Sequence, residues 1–118
     1  MLEYVLVAIG GAFGSTARFA TGRFITNKLK WVLPTATFFI NISGSFLLGV
    51  IIGIGIEGNL LTFFGVGFLG AYTTYSTYMY EAFTIFIKKQ RLWAVVYVLG
   101  SLLSGILSFM AGFMMMGL

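Results

Sequence analysis

The chain has 118 residues, 59% of them hydrophobic, with a mean hydropathy of +1.02. Seven basic and three acidic side chains give a net charge of +4, and charged residues make up 8% of the chain, against about a quarter in soluble domains. With no His, Asp or Cys, the sequence holds no disulfide, no thiolate or imidazole metal site and none of the usual acid–base or nucleophilic constellations. A soluble enzyme is excluded, and the length suits one small membrane bundle without a second domain.

Uncharged runs set out the elements. The first, Tyr4 to Ala17, is short, but snorkelling of Glu3 and Arg18 extends it to a helix over about 3–22. Met1-Leu2-Glu3 supplies no basic leader, which argues against a signal peptide. The runs Trp31–Ile56, Gly58–Tyr80 and Leu92–Leu118 each exceed the ~20 residues a helix needs to cross about 30 Å of hydrocarbon. They predict helices over about 33–55, 60–87 and 92–116, so residues 1–118 form one four-helix transmembrane domain. The runs do not alternate and are too long for barrel strands of about ten residues. Short links at Thr26–Lys30, Glu57–Asn59 and Lys88–Arg91 imply an up-down-up-down order.

All seven basic residues fall on one side of such a bundle: Arg18, Arg23, Lys28 and Lys30 around the first link, Lys88, Lys89 and Arg91 around the third. The positive-inside rule puts those links in the cytoplasm and both termini outside.

Small residues recur every four positions: Gly10 and Gly14 in line with Arg18; Asn41, Ser45, Gly49 and Gly53; Gly100, Ser104, Ser108 and Gly112. Such stripes let helix backbones approach closely in lipid. Three of them exceed what one four-helix bundle requires and point to a dimer.

Two places are polar inside the spans. Asn41 lies about eight residues into the second, where its amide serves either an interhelical hydrogen bond or a polar pathway. The third carries seven hydroxyl residues at 72–78, with Tyr80 beyond and Gly65, Gly67 and Gly70 before. Hydroxyls can be satisfied by carbonyls of their own helix. Seven together suggest a polar path, and the glycines suggest a helix broken near mid-membrane, which lipid tolerates only where the break is buried or lines a cavity. Glu81, a turn later, reads as an interfacial anchor or a transport residue.

Three stretches taken together, GGAFGSTARF at 10–19, TFFINISGSFLLG at 37–49 and GFLGAYTTYSTY at 67–78, resemble the Fluc/CrcB family of fluoride channels. The likeness covers all four predicted helices. It implies a channel in the cell membrane of a microbe that exports fluoride passively from the cytoplasm and so reduces its toxicity. The implied assembly is an antiparallel dimer with two narrow pores and a structural sodium ion at its centre. The sodium would be held by the backbone carbonyls of Gly70 and Thr73. The same resemblance places Asn41, Tyr75, Ser76, Thr77 and Tyr78 on the fluoride pathway and Arg18 in the vestibule. It implies membrane lipid as surroundings, with no organic cofactor and no nucleic acid.

The chemistry is consistent: a small, strongly hydrated anion needs close donors in place of water, and an amide with Ser, Thr and Tyr hydroxyls can supply them. The family usually has Phe, offering a positive ring edge, where this chain has Tyr75 and Tyr78. Their hydroxyls are expected to donate to the ion or to a water. The one-sided charge is the second departure, since a chain inserting both ways should have balanced links. The partner is thus either a second copy or an oppositely oriented paralogue. A proton-coupled small multidrug exporter would need a carboxylate embedded in the first helix, where there is only the terminal Glu3. A non-transporting assembly subunit would leave the hydroxyl cluster without a purpose.

Overall fold

A computed structural model describes residues 1–28 and 35–117. Its elements are α1 (Leu2–Lys28), α2 (Thr35–Ile54), α3 (Asn59–Leu61), a π-helical stretch (Thr62–Leu69), α4 (Gly70–Tyr72), α5 (Ser76–Ile87) and α6 (Arg91–Gly117). The described residues contain no strand. The piece from α3 to α5 occupies the place of the predicted third helix, so the chain is all-α with four helical passes.

Helix α1 runs on to Lys28 and does not stop near residue 22, so Thr26 to Lys28 belong to the helix and not to a link. No proline interrupts it, and a lysine in its last turn is favoured by the negative end of the helix dipole. The predicted start of the second helix at 33, and Lys30, lie outside the described residues. The reversal between α2 and α3 uses Gly55 at φ 90° and Gly58 at φ 69°, a left-handed conformation that costs glycine little.

Helices Thr35–Ile54 and Arg91–Met116 are long and apolar enough to cross a membrane, with a mean hydropathy of 2.0 in each. Only 22% and 11% of their apolar windows are buried inside the chain. A core helix of a soluble protein would be mostly buried; here Leu99, Leu103, Leu107 and Met114 of α6 point outward. Hydrocarbon is the solvent that suits such surfaces.

The small-residue stripes are largely consumed within the chain. Helix α2 packs chiefly on α6, and a Cβ at Gly49 would collide with the Phe109 carbonyl, one at Gly112 with the Phe46 carbonyl. Ser108 Oγ donates to the Ile42 carbonyl at 2.9 Å across the same seam. Helix α1 lies on the π stretch, with Gly10 against the Phe63 carbonyl and Gly14 against that of Phe68. Close backbone approach inside one bundle thus accounts for these glycines, and they do not by themselves call for a dimer. Gly100 differs, because a Cβ there would meet nothing within 4 Å.

The π stretch has no signal in the sequence beyond its glycines. π-helical winding is rare and concentrates at functional positions. At its end, helical geometry stops at Tyr72, Thr73 is extended (φ −82°, ψ 162°), and the helix resumes at Ser76.

Candidate functional site

The interruption after Tyr72 strips backbone groups of their helical partners, and α2 supplies substitutes. Asn41 Nδ2 donates to the Thr74 carbonyl at 3.0 Å, and the Thr74 N–H donates back to Asn41 Oδ1 at 2.9 Å. Thr74 Oγ1 accepts from the Thr77 N–H at 3.3 Å, at the start of α5. At the edge of the interruption, the Tyr72 and Ser43 hydroxyls share a hydrogen bond at 2.9 Å. The interhelical bond anticipated for Asn41 therefore exists, as a two-point pairing with backbone.

Two of these bonds leave particular carbonyls free. In a continuous helix the Thr74 N–H would go to Gly70 and the Thr77 N–H to Thr73, four residues back. Here Asn41 and the Thr74 hydroxyl take those donors. The Gly70 and Thr73 oxygens are thus deprived of their helical partners at one point of the chain. Carbonyl oxygens so released suit a hard monovalent cation, so the residues present fit the sodium site that the resemblance implies.

Two clefts meet at this place. The larger, about 600 Å³, is bordered by Asn41, Gly70, Thr73, Thr74, Tyr75 and Tyr78, and no charged side chain lines it. The smaller, about 380 Å³, is bordered by Arg18, Arg23, Asn27, Thr37, Thr74 and Thr77. Thr74 borders both, and its partner Asn41 borders the larger. The guanidinium groups of Arg18 and Arg23 give the smaller cleft a positive lining that attracts anions. Ser76, predicted on the same path, is exposed and borders neither cleft.

The two tyrosines in the usual Phe positions differ. Tyr78 Oη donates its only proton to the Val98 carbonyl of α6 at 2.7 Å. That hydroxyl, expected to serve the ion or a water, is engaged here with a backbone oxygen of α6. What Tyr78 turns to the larger cleft is ring, and that ring lies 5.3 Å from the Tyr97 ring, centroid to centroid. Tyr75 is 73% exposed, and its hydroxyl makes no hydrogen bond within the described residues. Its ring centroid is 6.2 Å from that of Tyr78.

Sequence reasoning missed Tyr97 and Ser101 of α6. Ser101 Oγ is buried on the larger cleft without a hydrogen-bond partner among the described residues. Tyr97, 3% exposed, donates to Glu81 Oε1 over a long 3.5 Å. A tyrosine and a serine four residues apart on one helix face were the available signal.

Comparison with known proteins now bears on this arrangement. The family described as CrcB-like protein, Camphor Resistance (CrcB) matches residues 5–113. The chain belongs to the CrcB family. It is 48% identical over 111 residues to a Clostridium acetobutylicum protein named fluoride-specific ion channel FluC 2, covering 94% of this chain and 95% of that one. A Bacillus cereus protein of the same name is 40% identical over 118 residues and matches end to end, 100% of each chain. A Carboxydothermus hydrogenoformans protein named fluoride-specific ion channel FluC 1 is 39% identical over 114 residues, covering 95% of this chain and 91% of its own.

Proposed function

We propose that this CrcB-family chain is a fluoride-selective channel, which lets fluoride leave the cytoplasm passively and so limits its toxicity. The observation that carries this reading is the likeness, along nearly the whole chain, to relatives named fluoride-specific ion channels. The site supplies a physical route: a positively lined cleft adjoins an uncharged one furnished with an amide and hydroxyls. The process is transport and not catalysis.

In this reading Arg18 gathers anions in the smaller cleft, and Thr77 borders the way to the interruption. Asn41 keeps one N–H uncommitted, Tyr75 keeps its hydroxyl, and Tyr78 presents its ring, so all three face a dehydrated anion in the larger cleft. Ser76 joins the path only where a second chain completes it. The broken third helix sits near mid-membrane, and the Gly70 and Thr73 carbonyls hold a sodium ion at the centre of an antiparallel dimer. That cation supplies a fixed positive charge beside the anion's route.

The partner is a second copy or an oppositely oriented paralogue. The one-sided basic residues favour the paralogue, with both termini of this chain outside the cell membrane. Relatives numbered 1 and 2 fit a family in which two such chains occur.

Fluoride efflux from liposomes holding the purified chain, read with an electrode, tests the proposal. Rapid fluoride efflux with chloride retained is expected, either from the chain alone or once the oppositely oriented paralogue is added. Absence of efflux from well-folded protein in both conditions refutes it.

A further inference from the structure

The pairing of Asn41 with Thr74 has a geometry that a pore-lining amide does not need. Both polar atoms of the side chain engage the backbone of one residue, 33 positions away, at 3.0 and 2.9 Å. Of the four hydrogen bonds that a primary amide can make in full, two are thereby committed. The residue they engage stands inside the interruption, between extended Thr73 and the first turn of α5. We infer that Asn41 is a positioning residue, a clasp that keeps the third span broken by taking the Thr74 N–H that a continuous helix would return to Gly70.

The chemistry supports a specific role for an amide at this position. Only a side chain with a donor and an acceptor side by side can pair with both the N–H and the C=O of one residue. A hydroxyl carries donor and acceptor on one atom, so it must reach both groups from a single point, where the amide offers two atoms side by side. Without the clasp, the Thr74 N–H and C=O would lose both partners, and the nearest remedy within the chain is for the N–H to swing to the Gly70 carbonyl and close the helix. Gly70 lines the larger cleft, so closure would remove an exposed carbonyl from it. The consequence for the bound sodium rests on the function proposed above. The clasp itself does not.

The experiment is amide hydrogen exchange by NMR on the full-length chain in lipid nanodiscs. In the unaltered protein, one Nδ2 proton of Asn41 is expected to exchange at least tenfold more slowly than the other, because one is bonded to Thr74 and one is not. Equal, fast exchange of the two overturns the inference. In Asn41→Ala the Thr73 Cα and Cβ shifts are expected to move from extended to helical values, as the Thr74 N–H passes to the Gly70 carbonyl, while amides in the middle of α6 keep their rates. Extended Thr73 shifts retained in a folded Asn41→Ala overturn it. Asn41→Asp retains the acceptor and, when protonated, an O–H donor, so it is expected to restore the extended Thr73 shifts. If Asn41→Ala loses protection throughout the chain, the fold has failed and the two side-chain protons of the unaltered protein decide. Fluoride efflux is measured on the same preparations. A chain that shows the exchange pattern but no efflux defeats the channel reading alone, and efflux without the pattern defeats the clasp alone.

Discussion

Replacing Tyr78 by Phe removes one hydroxyl and keeps the ring. That hydroxyl reaches the Val98 carbonyl at 2.7 Å and thus ties α5 to α6. Val98 lies inside α6, where its carbonyl also receives a helical N–H from four residues on, so the substitution leaves no orphaned acceptor. The cost is then a single net hydrogen bond, about 0.5–1.5 kcal/mol, and close to ~0.6 kcal/mol if the average for interhelical bonds in membranes applies. Equilibrium unfolding in mixed micelles should register this as a loss of roughly threefold to tenfold in the folding constant. Fluoride efflux per folded channel should change by less than about threefold, since the lost proton points at α6 and not into the larger cleft. An efflux loss of tenfold or more with unaltered stability would correspond to about 1.4 kcal/mol of added barrier. It would refute the reasoning by showing that the hydroxyl serves the ion directly.

The neighbouring ring should behave in the opposite way. Tyr75 is exposed and its hydroxyl has no partner among the described residues, so Tyr75→Phe should alter stability by less than about 0.5 kcal/mol yet reduce efflux about threefold to tenfold, and unaltered efflux would remove the hydroxyl from the path. Gly14→Ala would put a Cβ against the Phe68 carbonyl, with Phe68 C at 2.9 Å and Cα at 3.0 Å behind it, so a loss of about 1–3 kcal/mol is expected in the same unfolding titration. A fully stable Gly14→Ala would contradict the close approach of α1 to the π stretch. Gly100→Ala meets nothing within 4 Å, so it should be neutral or gain up to about 1 kcal/mol from the better helix former, unless a partner chain occupies that face.

Much of this arrangement was legible in the sequence because lipid makes strict demands. Charge-free runs delimit spans, so α2 and α6 could be read off directly. The glycines flanking a hydroxyl run marked the neighbourhood of the interruption, and the three motifs marked the family. What could not be read depends on which groups meet across helices. Nothing in the sequence distinguishes Tyr75 from Tyr78, yet one hydroxyl is bound to Val98 and the other is free. The glycine stripes show that backbones come close but not whose: Gly49 and Gly112 serve the α2–α6 seam, whereas spacing alone points to a dimer. Helix α1 runs past the boundary that charge alone indicates, because a basic residue in the last turn is favoured by the helix dipole.

The interruption is the feature for which the rest of the chain compensates. A break in a membrane helix exposes backbone groups that cost several kcal/mol each if unmet. Helix α2 contributes from two positions two residues apart: the Ser43 hydroxyl bonds the Tyr72 hydroxyl just before the break, and Asn41 meets the Thr74 backbone within it. Residues two apart on a helix point some 200° from one another, so both can reach the third span only where it crosses α2 closely. Gly44 lies between them on that face. A Cβ at Gly44 would collide with the Thr73 side chain and stand 3.4 Å from the Tyr72 ring. One short segment of α2, residues 41–44, therefore supplies both the polar partners of the break and the space for it. Enlarging Gly44 to Ala should disturb Thr73 without removing any hydrogen-bonding group. If the break serves transport, this substitution lowers efflux while leaving the α2–α6 seam intact, since Gly49, Gly112 and Ser108 lie further along. Unaltered efflux in a folded Gly44→Ala would mean that the path tolerates displacement at Thr73 and does not depend on the geometry of the break.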